Sequence, residues 1–161
     1  MGRAQGHAGR DGLTVTAEFD IRPLRDADIE QVVRLWEECG LTRPWNDPRA
    51  DIAQARKSGC AEILVADAGG GRIAASALVG DDGHRGWFYY VAVSPELRES
   101  GLGRRIVAAG EDWMRARGVA KSQLIVRADN TAVQGFYEAL GYGVQDRVLM
   151  ARWLDGRPLT P

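Results

Sequence analysis

The apolar positions of this chain change rhythm repeatedly, and each change marks an element. Glu18 to Leu24 reads as a first strand that ends before Asp26, a residue suited to cap a helix. Ile29, Val32, Val33, Trp36 and Cys39 then recur at three- and four-residue spacing, which is one face of a helix, and Gly40 closes it. Arg43 to Pro48 is a loop. Within it, Asp47 before Pro48 pairs a capping side chain with proline in the first helical position, predicting a second helix from Pro48 to about Lys57 with Gly59 as its stop. Glu62 to Asp67 and Arg72 to Val79 suit strands, and Gly69-Gly70-Gly71 between them makes an antiparallel hairpin. A polar link from Gly80 to Gly86 leads into Trp87 to Ser94, the most aromatic and β-branched stretch, which Pro95 ends. Gly101 to Arg117 is helical, with Leu102, Ile106, Ala109 and Trp113 on one side and Gly118 as its cap. Ser122 to Arg127 predicts a further strand, Thr131 to Leu140 a helix stopped by Gly141, and Tyr142 to Trp153 one or two final strands.

The resulting order is β-α-α-β-β-β-α-β-α-β. Strand–helix–strand crossovers fall only in the second half, so an α/β fold with a mixed sheet and helices on both faces is expected. The chain has 161 residues, 45% of them hydrophobic, which suits one compact domain with a genuine core and is too little for two ordinary ones. That domain is expected over residues 18–154, after a disordered Gly- and Arg-rich extension over 1–17 and before a short C-terminal tail over 155–161. The extension has no apolar stretch and reads as neither signal peptide nor anchor. No run reaches the roughly 18 apolar residues that a membrane helix needs.

Charge narrows the partners. With 21 basic and 22 acidic side chains the net charge is −1, so no field of one sign gathers nucleic acid or an anionic membrane. Cys39 and Cys60 make no disulfide scaffold and no Cys/His spacing resembles a zinc site, so no metal is expected and a reduced, cytoplasmic setting is the simplest reading. Both cysteines read as buried small apolar residues.

The segment that carries chemistry runs from Val91 to Arg104: a strand, a turn with Pro95, and the pair Gly101 and Gly103 at the start of a helix. A helix start leaves four N–H groups without partners, and the macrodipole adds roughly half a positive charge there. Two glycines let the protein backbone approach a ligand closely, making this a seat for a pyrophosphate, with Arg98 and Arg104 able to add charge-assisted bonds. A helix start that simply needs small residues would look similar. A dinucleotide site would want glycine where Ile106 stands and an acid near Gln123-Leu124, and a Walker-type loop would want Gly-Lys-Ser/Thr; the chain has none of these.

A second segment, Asn130 to Tyr142, follows a strand and forms a helix carrying Phe136 and Tyr137. Together, Val-Ala-Val-x-Pro followed by Arg-x-x-Gly-x-Gly, then Asn with Tyr seven residues on and Leu-Gly-Tyr beyond, resemble the GNAT acetyltransferases over about residues 20 to 154. Within that superfamily the chain is similar to the small bacterial YpeA-like group, notably over Arg43–Pro48 and Asp82–Gly86. The resemblance implies a mostly antiparallel sheet whose parallel fourth and fifth strands splay apart. It implies acetyl-CoA as cosubstrate, its pantetheine lying along the backbones of Val91, Ala92 and Val93 as an added strand. It further implies pyrophosphate held by N–H groups of Glu99, Ser100, Gly101, Leu102, Gly103 and Arg104, a pantetheine bond from Asn130, and an oxyanion held by N–H near Val93. Tyr137 is implied as the acid that protonates the departing thiolate, for which an unperturbed pKa of about 10 is adequate. On residue pattern alone, Tyr137 equally suits a core tyrosine with its hydroxyl at the rim.

Two positions depart from the family pattern: Glu99 stands where glycine or a basic residue is frequent, and Ser100 where Gln, Lys or Arg is. The strand before Asn130 carries Ile125 where members acetylating protein N-termini often carry Glu, which counts against that base. The remaining candidates are His84, Asp81, Asp82, Tyr89 and Tyr90, and of these side-chain types histidine is the one whose unperturbed pKa, about 6.5, suits the task. A solvated loop histidine with water as proton acceptor fits equally. Trp45, Asn46 and Asp47 form an expected wall for a small-molecule or peptide amine acceptor, although Asp47 already serves as a cap. A homodimer through the sheet edge is compatible with the pattern, and a noncatalytic acyl-CoA-binding or regulatory module on the same fold is the alternative to an enzyme.

Overall fold

The computed structural model describes residues 19–159, so the expected disordered extension lies outside the described residues. Two compact units divide the chain between Ile125 and Val126.

The first unit holds a five-stranded sheet in sequence order: β1 (Asp20–Pro23), β2 (Ala61–Asp67), β3 (Ile73–Asp81), β4 (Gly86–Val93) and β5 (Ser122–Gln123). The first four strands run antiparallel to their neighbours and β5 pairs parallel to β4, giving the mixed sheet that the element order predicts. The short glycine turn joins β2 to β3, as expected, with Gly69, Gly70 and Gly71 all at positive φ. Three helices flank the sheet: α1 (Ile29–Glu38), α2 (Pro48–Ser58) and α3 (Leu102–Arg115).

Side-chain alternation decides which helix meets which face. Ile63 and Val65 of β2 join Val32, Val33 and Trp36 of α1 and Ile52 of α2 in one buried cluster. On the opposite face, α3 comes so close that a Cβ built at Gly110 would lie 2.3 Å from Cε1 of Phe88 and 2.9 Å from Cγ1 of Val79. Glycine here is a contact requirement, set by the distance between α3 and the sheet.

Local signals hold where a single side chain decides them. The Asp47 carboxylate accepts the Arg49 N–H at 2.9 Å and Pro48 opens α2, whose end is set by Gly59 at φ 69°. Asp26 does not cap α1, contrary to expectation. It begins a 3-10 turn over Asp26–Asp28, and Asp28 instead accepts the Arg25 N–H at 2.7 Å while binding Arg22 at 2.6 Å. Arg22 also reaches Asp67 at 2.6 Å, so one buried guanidinium ties β1, β2 and the start of α1 together. A carboxylate recruited by that guanidinium is unavailable to sequence-local reasoning.

The second unit contains α4 (Thr131–Glu138), shorter than the expected helix to Leu140 and followed by Gly141 at φ 90°. The late strands differ more. Ser122 to Arg127 forms a strand only at Ser122–Gln123, and Tyr142 to Trp153 forms none. Val144, Val148, Leu149 and Met150 are exposed there. A strand exists through bonds to a neighbour, and apolar periodicity supplies side-chain alternation without supplying the partner.

Candidate functional site

The bulge in β4 shapes the first unit's site. Ser76 pairs with Ala92 and Leu78 with Tyr89, so Tyr90 and Val91 together stand opposite Ala77 alone. Tyr90 takes φ 48°, a left-handed conformation that costs a non-glycine residue about 1–2 kcal/mol. Surrounding contacts hold it there. Trp36 stacks on the Tyr90 ring at 3.9 Å and donates its indole N–H to Ser76 Oγ at 2.8 Å; Ser76 in turn donates to the Tyr90 carbonyl at 3.3 Å. The Tyr90 hydroxyl donates to Asp51 on α2 at 2.5 Å. Burial and that carboxylate push Tyr90 up to about 12, so it holds its proton and makes a poor base. Further along β4, Cys39 donates its thiol to the Val93 carbonyl at 3.3 Å, and burial pushes that thiol up.

Among the described residues β4 pairs with β5 only at Gly86 and Trp87, so Val91, Ala92 and Val93 have no strand partner on that side. Their sequence leads through Pro95–Leu97, a 3-10 turn, to the entrance of α3. Glu99 has φ 64° and Gly101 φ 83°, which turns the chain tightly into the helix. Glu99 thus holds a left-handed backbone that glycine adopts more readily. Arg105 N–H returns to the Gly101 carbonyl at 3.2 Å, whereas the N–H groups of Gly101, Gly103 and Arg104 make no bond within the protein among the described residues. Arg98, Glu99, Ser100 and Arg104 are exposed; Leu102 is buried beneath the turn. This is the donor set expected for an anion at a helix start.

A cavity of about 880 Å³ opens between α2 and the β3–β4 face. The bulge aims both Tyr89 and Tyr90 at it, although neighbours in a regular strand point to opposite faces. Asn46, Asp51, Asp81, Asp82 and Trp87 also line it, so of the expected loop wall Asn46 takes part, whereas Trp45 and Asp47 are outside the lining. His84 is exposed and lines a separate depression of about 160 Å³ with Asp81 and Arg117. Asp82 accepts the His84 and Arg85 N–H groups at 2.8 and 2.6 Å and the Trp87 indole at 2.8 Å, which lowers its pKa to about 2. Cys60 is exposed on the cavity wall, correcting the expectation of a buried residue: it sits in the α2–β2 turn, outside either helix face or strand core. Asp51 and the Trp36–Ser76 pair were not singled out from sequence, where they look like ordinary helix and strand residues.

In the second unit, Asn130 caps α4 by accepting the Val133 N–H at 3.2 Å through its side-chain oxygen, and its amide nitrogen makes no bond among the described residues. Tyr137 is buried, edge-on to Phe136 at 5.0 Å and Tyr142 at 5.5 Å. Burial chiefly, with Tyr142 adding, raises its pKa well above the ordinary tyrosine value, so it is protonated at neutral pH.

The family model for the acetyltransferase (GNAT) family matches residues 29–142. An acetyltransferase of Yersinia enterocolitica is 41% identical over 136 residues, covering 84% of this chain and 96% of that protein. One from Sodalis glossinidius is 43% identical over 132 residues, covering 82% and 92%. Among solved structures, aminoglycoside N-acetyltransferase AAC(6')-Iy in complex with CoA superposes with a TM-score of 0.74 at 20% identity, over 85% of this chain and 95% of that one. Glucosamine-6-phosphate N-acetyltransferase from Arabidopsis thaliana does so at 0.65 and 22% identity, over 86% and 99%. No described helix is long and apolar enough to cross a membrane.

Proposed function

This chain belongs to the GNAT family of acetyltransferases, and on that premise we propose that it moves the acetyl group of acetyl-CoA onto a primary amine by direct attack in a ternary complex. The observation that carries the reading is the α3 entrance, where among the described residues the N–H groups of Gly101, Gly103 and Arg104 are unspent and lie just after the stretch of β4 that β5 does not pair with. The pyrophosphate takes those amides, with Arg98 and Arg104 supplying charge-assisted bonds and Glu99, Ser100 and Leu102 contributing backbone to the turn. Pantetheine extends β4 by bonding along Val91, Ala92 and Val93, and the Asn130 amide takes part in holding it.

In the reaction the acceptor nitrogen, free of its extra proton, attacks the thioester carbonyl. The C–N bond forms, the oxyanion is held by backbone N–H near Val93, and the C–S bond then breaks. Tyr137 gives its proton to the leaving sulfur; its raised pKa keeps that proton available at neutral pH. The proton shed by the amine passes to solvent water, and through water to His84, which lines the neighbouring depression. Much of the acceleration comes from holding the two reactants in line.

Tyr137→Phe tests the assignment. Turnover, read as thiol release, is expected to fall on the order of a hundredfold, with acetyl-CoA affinity by calorimetry nearly unchanged. Undiminished turnover removes Tyr137 as the acid.

A further inference from the structure

An amine must be uncharged to attack a thioester, since only a free lone pair forms the new bond. The group that reacts therefore brings no positive charge to the site at the moment of transfer. Yet the cavity beside the bulge is built to receive cations. Among the described residues its lining includes Asp51, Asp81 and Asp82 and no lysine, arginine or histidine.

Among the described residues these carboxylates bond only to neutral donors, and Asp81 also borders the separate depression that His84 and Arg117 line. Asp51 takes the Tyr90 hydroxyl at 2.5 Å, Asp81 the Gly83 N–H at 2.8 Å, and Asp82 two backbone N–H groups and the Trp87 indole. One oxygen each of Asp51 and Asp81 makes no bond within the protein among the described residues. Neutral donors hold a carboxylate in place but leave its charge uncompensated. Between the acids stand aromatic faces: Tyr89 is 48% exposed, and the bulge brings it to the same wall as Tyr90. Such faces attract cations and cover apolar methylenes. A volume of about 880 Å³ is that of a small-molecule pocket.

We infer that this cavity is the acceptor site and that its acceptor is a small di- or polycationic amine, with one amino group reacting while at least one other, still protonated, is held by Asp51, Asp81 and Asp82 against the aromatic wall. The inference rests on the acetyl-transfer reading above. A monoamine would leave the acidic lining uncompensated once its own nitrogen became neutral, whereas a second ammonium group anchors the acceptor throughout the step.

The test compares acceptors of one length. Thiol release from acetyl-CoA is followed with 1,4-diaminobutane and spermidine against 1-aminobutane and 4-aminobutan-1-ol, at low and high salt. A diamine preference in kcat/KM of about tenfold is expected, the scale of one charged hydrogen bond, shrinking as salt rises. Asp81→Asn and Asp51→Asn are each expected to cut that ratio several-fold through KM, with thermal unfolding and acetyl-CoA uptake confirming a folded variant. Should either variant fail to fold, the wild-type ratio and its salt dependence still decide. Calorimetry separates the two levels. No acetyl-CoA uptake by the wild type would bring down the transfer reading itself. Uptake accompanied by equal use of aminobutanol and diaminobutane, or by turnover of neither, overturns the cationic acceptor alone.

Discussion

Gly110→Ala sets two well-defined effects against each other in the middle of α3. On helix propensity alone, alanine is favoured over glycine by about 1 kcal/mol. The sheet opposes it. The new methyl would sit 2.3 Å from Cε1 and 2.7 Å from Cζ of Phe88 and 2.9 Å from Cγ1 of Val79, where carbon atoms prefer about 3.5–4.0 Å. Phe88 is only 3% exposed and Val79 is fully buried, so the ring has no open space to turn into and α3 must lift from β4. Overpacking of this kind costs about 1–3 kcal/mol, and the close triple contact puts this site at the upper end. The net expectation is a loss of about 2 kcal/mol, or a Tm lower by about 4–8 °C for a chain of this size. Because the same helix presents the Gly101, Gly103 and Arg104 amides, its displacement should also weaken acetyl-CoA binding. Thermal and urea unfolding give the stability and calorimetry the affinity. Phe88→Leu in the same chain should recover part of both, a coupling that a double-mutant cycle reads directly. An alanine variant as stable as the wild type, binding the cofactor equally well, would refute the claim that contact distance dictates this glycine.

Three further outcomes follow from other parts of the molecule. Gly103→Trp should abolish acetyl-CoA uptake by filling the approach to the α3 amides, and calorimetry showing retained affinity would remove the pyrophosphate assignment. Asp28→Asn should cost about 3 kcal/mol in urea unfolding at neutral pH, because it strips one of two carboxylates from the buried Arg22. Arg22 also holds Asp28 and Asp67 below the usual carboxylate range. Their folded forms shed protons more readily than the unfolded chain, so the stability they contribute is full above about pH 4 and is lost as pH falls through their lower folded values. The acid limb of the wild-type profile should therefore be steeper than that of Asp28→Asn, and parallel limbs would contradict this origin.

What could be read from the chain was whatever one residue and its near neighbours decide. Asp47 with Pro48 starts α2, Gly59 and Gly118 turn the chain out of their helices, and the spacing of Leu102 and Ile106 marks the buried side of α3, which Val107, Gly110 and Met114 continue where Ala109 and Trp113 were expected. The order of the Gly101–Gly103 and Asn130–Tyr137 segments was likewise legible, since each motif is contiguous. Asp26 misled because a 3-10 turn begins there, and Asp28, the residue before α1, makes no side-chain cap bond but spends its carboxylate on Arg22 and the Arg25 N–H. The run from Tyr142 to Trp153 misled because alternation describes a strand's faces and is silent about its neighbour. The bulge lay further out of reach. Nothing in Phe88-Tyr89-Tyr90-Val91 announces a left-handed tyrosine, and its own preference is for an extended backbone. Tyr90 is held there by Trp36 and Ser76, 54 and 14 residues earlier in the chain, and by Asp51 from α2. Only when folding brings those groups together does their combined hold exceed the local strain, and only then do two adjacent tyrosines face the same cavity.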